Sequence, residues 1–556
     1  MTGPSISRRG LLLGALGLAG MAATGGTWAA LPTTATAAEG RVLAGSDAVR
    51  RVEQARLARG TGRRVRASVT AQPVEVDLGG RVVRTWSYGD QVPGRPLRCT
   101  AGDLLEVDVR NRLPEPTTVH WHGLRLRNDM DGVPHLTQPV VPPGETMRYT
   151  FVAPDPGTYW FHPHVGMQRE RGLFAPLIID DPREAGDYDV EFVVVLDDWI
   201  DGAAGTPDEV LSELRNGDME ASYKVPVQAG QIEDRSASWD YHQTAEMANI
   251  PAGQTPVSAA SRMADSVRYP FYLLNGRLPT APETFAAMPG QRARIRLISA
   301  AGTTTFRVAL GGHRLTVTHT DGFPVEPITV DNLHIGAGER YDVLVTLGDG
   351  AFPLVAIAEG HGAQALGVVR TASGEAPSAA AAPRELSGRL LRLTDLRAAP
   401  TVGQDNLPPD VTHTLHLTGD MFSFAWRINA QSYDHARPFA GITPAEIREG
   451  QRVRLELVNQ TPMYHPMHLH GHSFTVRGSG DLFPGAAAGE LRDPARSRLP
   501  MFAGAVKDTV MVAPGERVIA DFTADNPGQW LTHCHNAYHM GTGMATIVSY
   551  IATSSA

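Results

Sequence analysis

One strand pattern occurs three times along this chain, and any fold has to place all three copies. Residues 102–111, 290–297 and 450–459 each open at a glycine and then alternate apolar with charged side chains. Leu105-Glu106-Val107-Asp108-Val109, Ala293-Arg294-Ile295-Arg296-Leu297 and Val453-Arg454-Leu455-Glu456-Leu457 have the two-residue period of a half-buried strand. Downstream of each comes a second shared signal, Pro143-Gly144-Glu145, Gly338-Glu339-Arg340 and Pro514-Gly515-Glu516, which opens another alternating strand. The copies then diverge. The first continues as Pro156-Gly157-Thr158-Tyr159-Trp160-Phe161-His162 and the third as Pro527-Gly528-Gln529-Trp530-Leu531-Thr532-His533. The middle one reads Gly350-Ala351-Phe352-Pro353-Leu354, without a histidine. The pattern predicts three related β-domains, the middle one keeping the scaffold but not the histidines.

Length and composition agree. A chain of 556 residues exceeds one core and suggests roughly three or four domains. Short apolar runs punctuated by 57 glycines and 41 prolines favour an all-β reading. A formal net charge of −9 lacks the basic footprint that nucleic acid requires and offers an anionic membrane surface little attraction. Residues 1–38 read as a removable export signal, with Ser7-Arg8-Arg9, an apolar stretch from Leu11 to about Ala23, and small residues at Ala35-Thr36-Ala37. The twin arginine resembles a Tat address and predicts an exported protein, extracellular or in the cell envelope (periplasmic). Nothing later reaches the roughly eighteen apolar residues of a spanning helix. The stretch 372–384 reads as a linker, and the polar insertion at 202–265 has no readable role.

Ten of the twenty histidines fall in four short clusters: His120 and His122, His162 and His164, His465 with His468 and His470, and His533 and His535 with His539. Residues i and i+2 of a strand share a face, so each His-x-His presents two imidazoles side by side. His533 and His535 face one way and Cys534 the other, so one strand can bind metal on both sides. On the Cys534 side, His465, His539 and Met544 complete two imidazoles, a thiolate and a thioether, the donor set of a blue-copper site. Zinc has no preference for such a methionine. The second cysteine, Cys99, is expected to be unpaired and buried, with no disulfide in the chain.

These four clusters, in this order, resemble the multicopper oxidase family: laccases, copper-resistance oxidases and bacterial cuprous oxidases. The resemblance spans nearly the whole chain after the signal. It implies an all-β fold of three cupredoxin-like Greek-key β-sandwich domains, at 60–182, 183–375 and 385–553. It implies four coppers per chain. His465, Cys534, His539 and Met544 would hold type 1 copper, and His120 and His468 type 2. His122, His162 and His535 would hold one type 3 copper, and His164, His470 and His533 the other. A small reductant would give an electron to type 1 copper through the histidine edge nearest the surface. The electron would pass from Cys534 into His533 and His535, and four such electrons would reduce dioxygen to water.

Asp131, eleven residues past His120, stands where bacterial relatives carry an acid near the trinuclear cluster. It reads as a proton-handling catalytic residue or as the first half of an Asp-Gly turn. The acid that many bacterial relatives place directly after the type 1 histidine is here Met540. His313 and His319 read as structural, His472 as a neighbour with no ligand position left to fill, and the isolated histidines as hydrogen-bonded or exposed. The expected reductant is a phenol, an aromatic amine or a similar small molecule, as for a laccase. The alternative is Cu(I), as in copper tolerance; Tyr538-His539-Met540 is similar to that branch, while a methionine-rich insert is missing. Three domains in one chain can build the cluster without a partner, so a monomer is expected.

Overall fold

The computed structural model describes residues 40–184, 186–216, 267–402, 407–420, 423–481 and 501–552. The segment read as an export signal at 1–38, most of the insertion at 202–265, and residues 482–500 lie outside the described residues.

Six sheets form three pairs. The first pair has the orders Val82–Tyr88, Arg64–Asp77, Leu104–Asn111, Thr146–Val152 and Leu97–Thr100, Ala175–Asp180, Gly157–His162, His120–His122. The second begins with Phe271–Leu274, Val190–Trp199, Arg292–Ser299, Arg340–Thr346, Leu315–Thr320, Phe323–Val330. Its partner sheet runs Glu283–Ala286, Ala363–Arg370, Ala351–Ala358, Phe306–Leu310, Leu333–Ile335. The third has Arg427–Ile428, Val411–Thr418, Arg452–Asn459, Glu516–Thr523, Phe474–Asp481, Val506–Lys507, with Ala445–Ile447, Ala545–Tyr550, Gln529–Cys534, His465–Leu469, Thr509–Val512. These are three cupredoxin-like sandwiches in an all-β chain.

The repeated strand has the same place in each pair. Leu104–Asn111, Arg292–Ser299 and Arg452–Asn459 each lie between a parallel neighbour and an antiparallel one. The alternation explains why: Leu105, Val107 and Val109 are buried, as are Val453, Leu455 and Leu457, while intervening charges pair across strands (Asp108 with Arg148, Arg454 with Asp521). The antiparallel neighbour follows the second shared signal, the turns at Gly144, Gly338 and Gly515.

Two features lie outside the six sheets. A thirteen-residue helix, Asp47–Arg59, precedes the first sandwich, and its buried Glu53 accepts the Val152 N–H at 2.9 Å. The segment expected to open the third domain at 385 instead runs along the second, bridging Asn332 to Leu390 and Val325 to Ala398. Among the described residues no helix is long and apolar enough to cross a membrane.

Candidate metal centre

Strand alternation sorts the ligand candidates onto two sides. In His120–His122, Trp121 points into the first core against Tyr149, Phe151 and Phe161, leaving His120 and His122 on the opposite face. Met467 and Leu469 enter the large core that continues through the second and third sandwiches, which puts His468 and His470 on the other face. Register pairs Met467 with Cys534 and His468 with His533. His465, two residues before Met467, therefore shares the Cys534 side. Chain direction reverses after Cys534: Asn536 caps the helix Ala537–Gly541, its Oδ1 accepting the N–H groups of Tyr538 and His539 at 3.1 Å. That turn swings His539 back over the thiol.

On this side Cys534 Sγ lies 3.5 Å from His465 Nδ1 and 3.6 Å from His539 Nδ1, with 3.2 Å between the two nitrogens. A point central to that triangle is roughly 2 Å from every corner, a metal–ligand distance. Met544 is buried beside it, its carbonyl accepting the Cys534 N–H at 3.0 Å. The surroundings are apolar. Trp426 stacks on His539 at 4.2 Å between ring centroids and stands 5.5 Å from His465, with Phe424 behind it. His465 and His539 are both 0% exposed. Both rings are therefore enclosed, with Trp426, itself fully buried, packed against each. Burial alone lowers His465 to about 3 and pushes the Cys534 thiol up to about 12; a bound metal would have to draw off that proton.

On the other side, eight buried histidines converge. Donor atoms within 4.8 Å of one another group His122 with His162 and His535, His164 with His470 and His533, and His120 with His468 and His470. Nδ1–H groups are tied to oxygen: His120 to the Asp131 carbonyl (2.8 Å), His162 to Pro163, His468 to the Asp508 carbonyl (2.9 Å), His533 to the Cys534 carbonyl. Such bonds fix tautomer and ring direction. His120 Nε2, His122 Nδ1, His162 Nε2, His164 Nε2 and His468 Nε2 are buried with no hydrogen-bond partner. Burial, helped by neighbouring imidazoles and arginines, holds His122, His162, His164, His470, His533 and His535 well below the ordinary histidine range. Neutral imidazoles with free lone pairs aimed at one space fit a metal cluster, and the thiolate, imidazole and thioether set opposite fits copper.

Asp131 lies in a turn beside the cluster. Its chain turns at Gly132 (φ +87°), where an added Cβ would lie 2.0 Å from the Val119 carbonyl oxygen. Its Oδ2 accepts from His470 Nδ1 at 2.9 Å, so one residue fixes a ring from the first repeat and another from the third. His472 hydrogen-bonds Tyr550 (2.7 Å), and His313 is held by Gly311 and Gly348; both are structural. Cys99 is buried and unpaired.

Several surrounding groups escaped the sequence reading. Asp508 Oδ1 lies 3.2 Å from His122 Nε2, and Arg340 forks the same carboxylate at 2.8 and 2.6 Å. Against a burial that would raise it, Arg340 holds that carboxyl well below the usual range. Arg169 donates to His535 Nδ1 at 2.7 Å. Lys507-Asp508, two charges inside the apolar run from Ala505 to Val512, were the available signal.

Three sandwiches carrying a cysteine–histidine triangle on one face of a strand and a histidine cluster on the other define a copper oxidoreductase. Models described as multicopper oxidase match residues 70–184, 237–374 and 406–552. The multicopper oxidase MmcO of Mycobacterium tuberculosis is 43% identical over 493 residues, 88% of each chain. The copper resistance protein A homolog of Pseudomonas syringae pv. tomato is 28% identical over 86% of this chain and 90% of its own. The solved multi-copper oxidase from Pseudomonas thermotolerans matches with a TM-score of 0.62 at 28% identity, over 88% of this chain and 99% of its own. The chain belongs to the multicopper oxidase family, copper-binding oxidoreductases that use dioxygen.

Proposed function

We propose that this chain is an exported four-copper oxidase that takes single electrons from a small reductant and reduces dioxygen to water. The observation that carries it is the strand Gln529–Cys534, whose end supplies Cys534 to one donor set while His533 and His535 join the other. His465, Cys534, His539 and Met544 would hold type 1 copper, His120 and His468 type 2. His122, His162 and His535, and His164, His470 and His533, would hold the type 3 pair. Bound there, copper supplies one-electron redox steps and the site of dioxygen reduction. The chain's own residues do the rest. Trp426 packs against both type 1 rings and gives the electron-accepting site an apolar setting. The strand to His533 and His535 joins the two donor sets by a few covalent bonds. Asp131 orients His470 and is positioned to hold a proton beside the cluster.

For the donor, a phenol or aromatic amine remains the first reading. Cu(I) is the second, favoured by the burial of both type 1 histidines and by the similarity to copper resistance protein A homologs. Turnover of a methoxyphenol against turnover of Cu(I), with oxygen consumption followed in both, separates them. A copper-loaded protein that consumes oxygen with neither donor would defeat the oxidase reading. Export is tested by Arg8→Lys with Arg9→Lys, which should strand precursor in the cytoplasm.

A further inference from the structure

The turns at Gly144, Gly338 and Gly515 hold one place in three repeats, each opening the strand antiparallel to the repeated one. All three are left-handed, with φ of +84°, +88° and +69°. Their surroundings differ. Among the described residues, a Cβ added at Gly144 or Gly515 would meet nothing within 4 Å. At Gly338 it would meet His535 Cγ and Cδ2 at 3.0 Å and His122 Cε1 at 3.2 Å.

The next two residues extend the contact. Glu339 Oε1 lies 3.1 Å from Lys507 Nζ, which also lies 3.1 Å from Asp321 Oδ2 and donates to Thr320 Oγ1 at 2.7 Å. Arg340 forks Asp508 and donates through Nε to the Thr158 carbonyl at 3.1 Å, thereby touching all three repeats. Asp508 in turn reaches His122 through Oδ1 and accepts from His468 through its carbonyl. The side chains of Arg340, Lys507 and Asp508 are 0% exposed.

We propose that the middle repeat, which among the described residues supplies no metal ligand, positions the histidine cluster through Gly338 and Arg340. Gly338 sets the rings of His122 and His535 by having no side chain. Arg340 clamps Asp508, and Asp508 sets His122 and His468. A guanidinium fork fixes a carboxylate in plane, which a lysine cannot do, and outer hydrogen bonds direct the ligating ring. This rests on the four-copper reading above.

The test compares Gly338→Ala with Gly144→Ala and Gly515→Ala, which carry the same left-handed strain without the imidazole contact, and adds Arg340→Lys. Copper per chain, the type 2 electron paramagnetic resonance signal and the thiolate absorption of the Cys534 site are measured, with melting of the copper-free proteins. Gly338→Ala and Arg340→Lys should hold cluster copper roughly 10–100-fold more weakly and shift the type 2 signal. Both should keep the Cys534 absorption, and the two control variants should match wild type throughout. The proposal falls if the three alanine variants behave alike, or if Gly338→Ala and Arg340→Lys keep the wild-type signal and copper content. Should Gly338→Ala not fold, Arg340→Lys alone decides. Wild-type protein with fewer than four coppers would overturn the underlying reading instead.

Discussion

Each repeat sets a charge pair across its repeated strand: Asp108 opposite Arg148, Arg296 opposite Asp342 at the same register, and Arg454 opposite Asp521 nearer the opening glycine. In the first repeat the two side chains are 38% and 62% exposed, and in the third 18% and 21%. In the middle one they are 1% and 2% exposed. There the first repeat covers the polar face of the sheet, and Thr158 donates to Asp342 at 2.6 Å. Against its burial, Arg294 and Arg296 hold the Asp342 carboxyl well below the usual range. The same sequence device sits in different settings. On the first repeat it is a solvated pair worth about 1 kcal/mol or less; in the third it is part-buried; in the middle it belongs to a desolvated interface where losing a partner is costly. Among the described residues, the pair built into the interior is that of the repeat supplying no metal ligand.

The comparison can be broken at several depths. Cys534→Ser strikes an outer repeat at its ligand and should abolish both the blue absorption and turnover; a colourless protein that is fully copper-loaded and active would remove the division of labour at its root. Asp131→Asn should leave reduction of the type 1 site nearly unchanged while slowing reoxidation severely, by roughly 10²-fold or more, as read by stopped flow. Reoxidation at the wild-type rate would reduce Asp131 to a turn residue. Asp342→Ala should cost on the order of 3–5 kcal/mol in urea unfolding, because two buried arginines each lose one of two carboxylate partners.

Glu170 probes the interface of the first and middle repeats. Burial raises it to about 7, against Arg169 and the Tyr269 hydroxyl and with Asp198 adding to the rise; the hydroxyl donates at 2.8 Å. Because its folded value lies above its unfolded one, its stabilising contribution is full below the unfolded value and lost as pH rises through about 7. Glu170→Gln should therefore gain on wild type as pH rises from about 5 to 8, by about 2–3 kcal/mol, in copper-free protein. A constant difference across that range would show that Glu170 does not titrate there. The smallest effect belongs to the exposed pair: Arg148→Ala should cost less than about 1 kcal/mol. A loss as large as that of Asp342→Ala would erase the contrast.

Much of this was legible in the chain. Alternation at 104–111, 292–299 and 452–459 specified the strands, and His-x-His spacing specified shared faces, because both depend on neighbours along one backbone. Asp508 and Arg340 were not legible as a pair: 168 residues separate them, and only the docking of two repeats brings them together. The packing of Phe424 and Trp426 beside His539 was hidden for the same reason, since in the sequence they look like any other core residues. The helix Asp47–Arg59 was missed because its sequence, Asp-Ala-Val-Arg-Arg-Val-Glu-Gln-Ala-Arg-Leu-Ala-Arg, buries little and is held by Glu53 against a distant strand.

The strand Gln529–Cys534 has a consequence for how such a gene can vary. Opposite faces are assigned there by odd and even count alone, so an in-frame codon gained or lost between Gln529 and Cys534 would exchange the thiol for an imidazole on both sides at once. Point substitutions can erode one donor set and spare the other. A single-codon change in length cannot, and surviving variation in this stretch should be confined to replacements that keep its count.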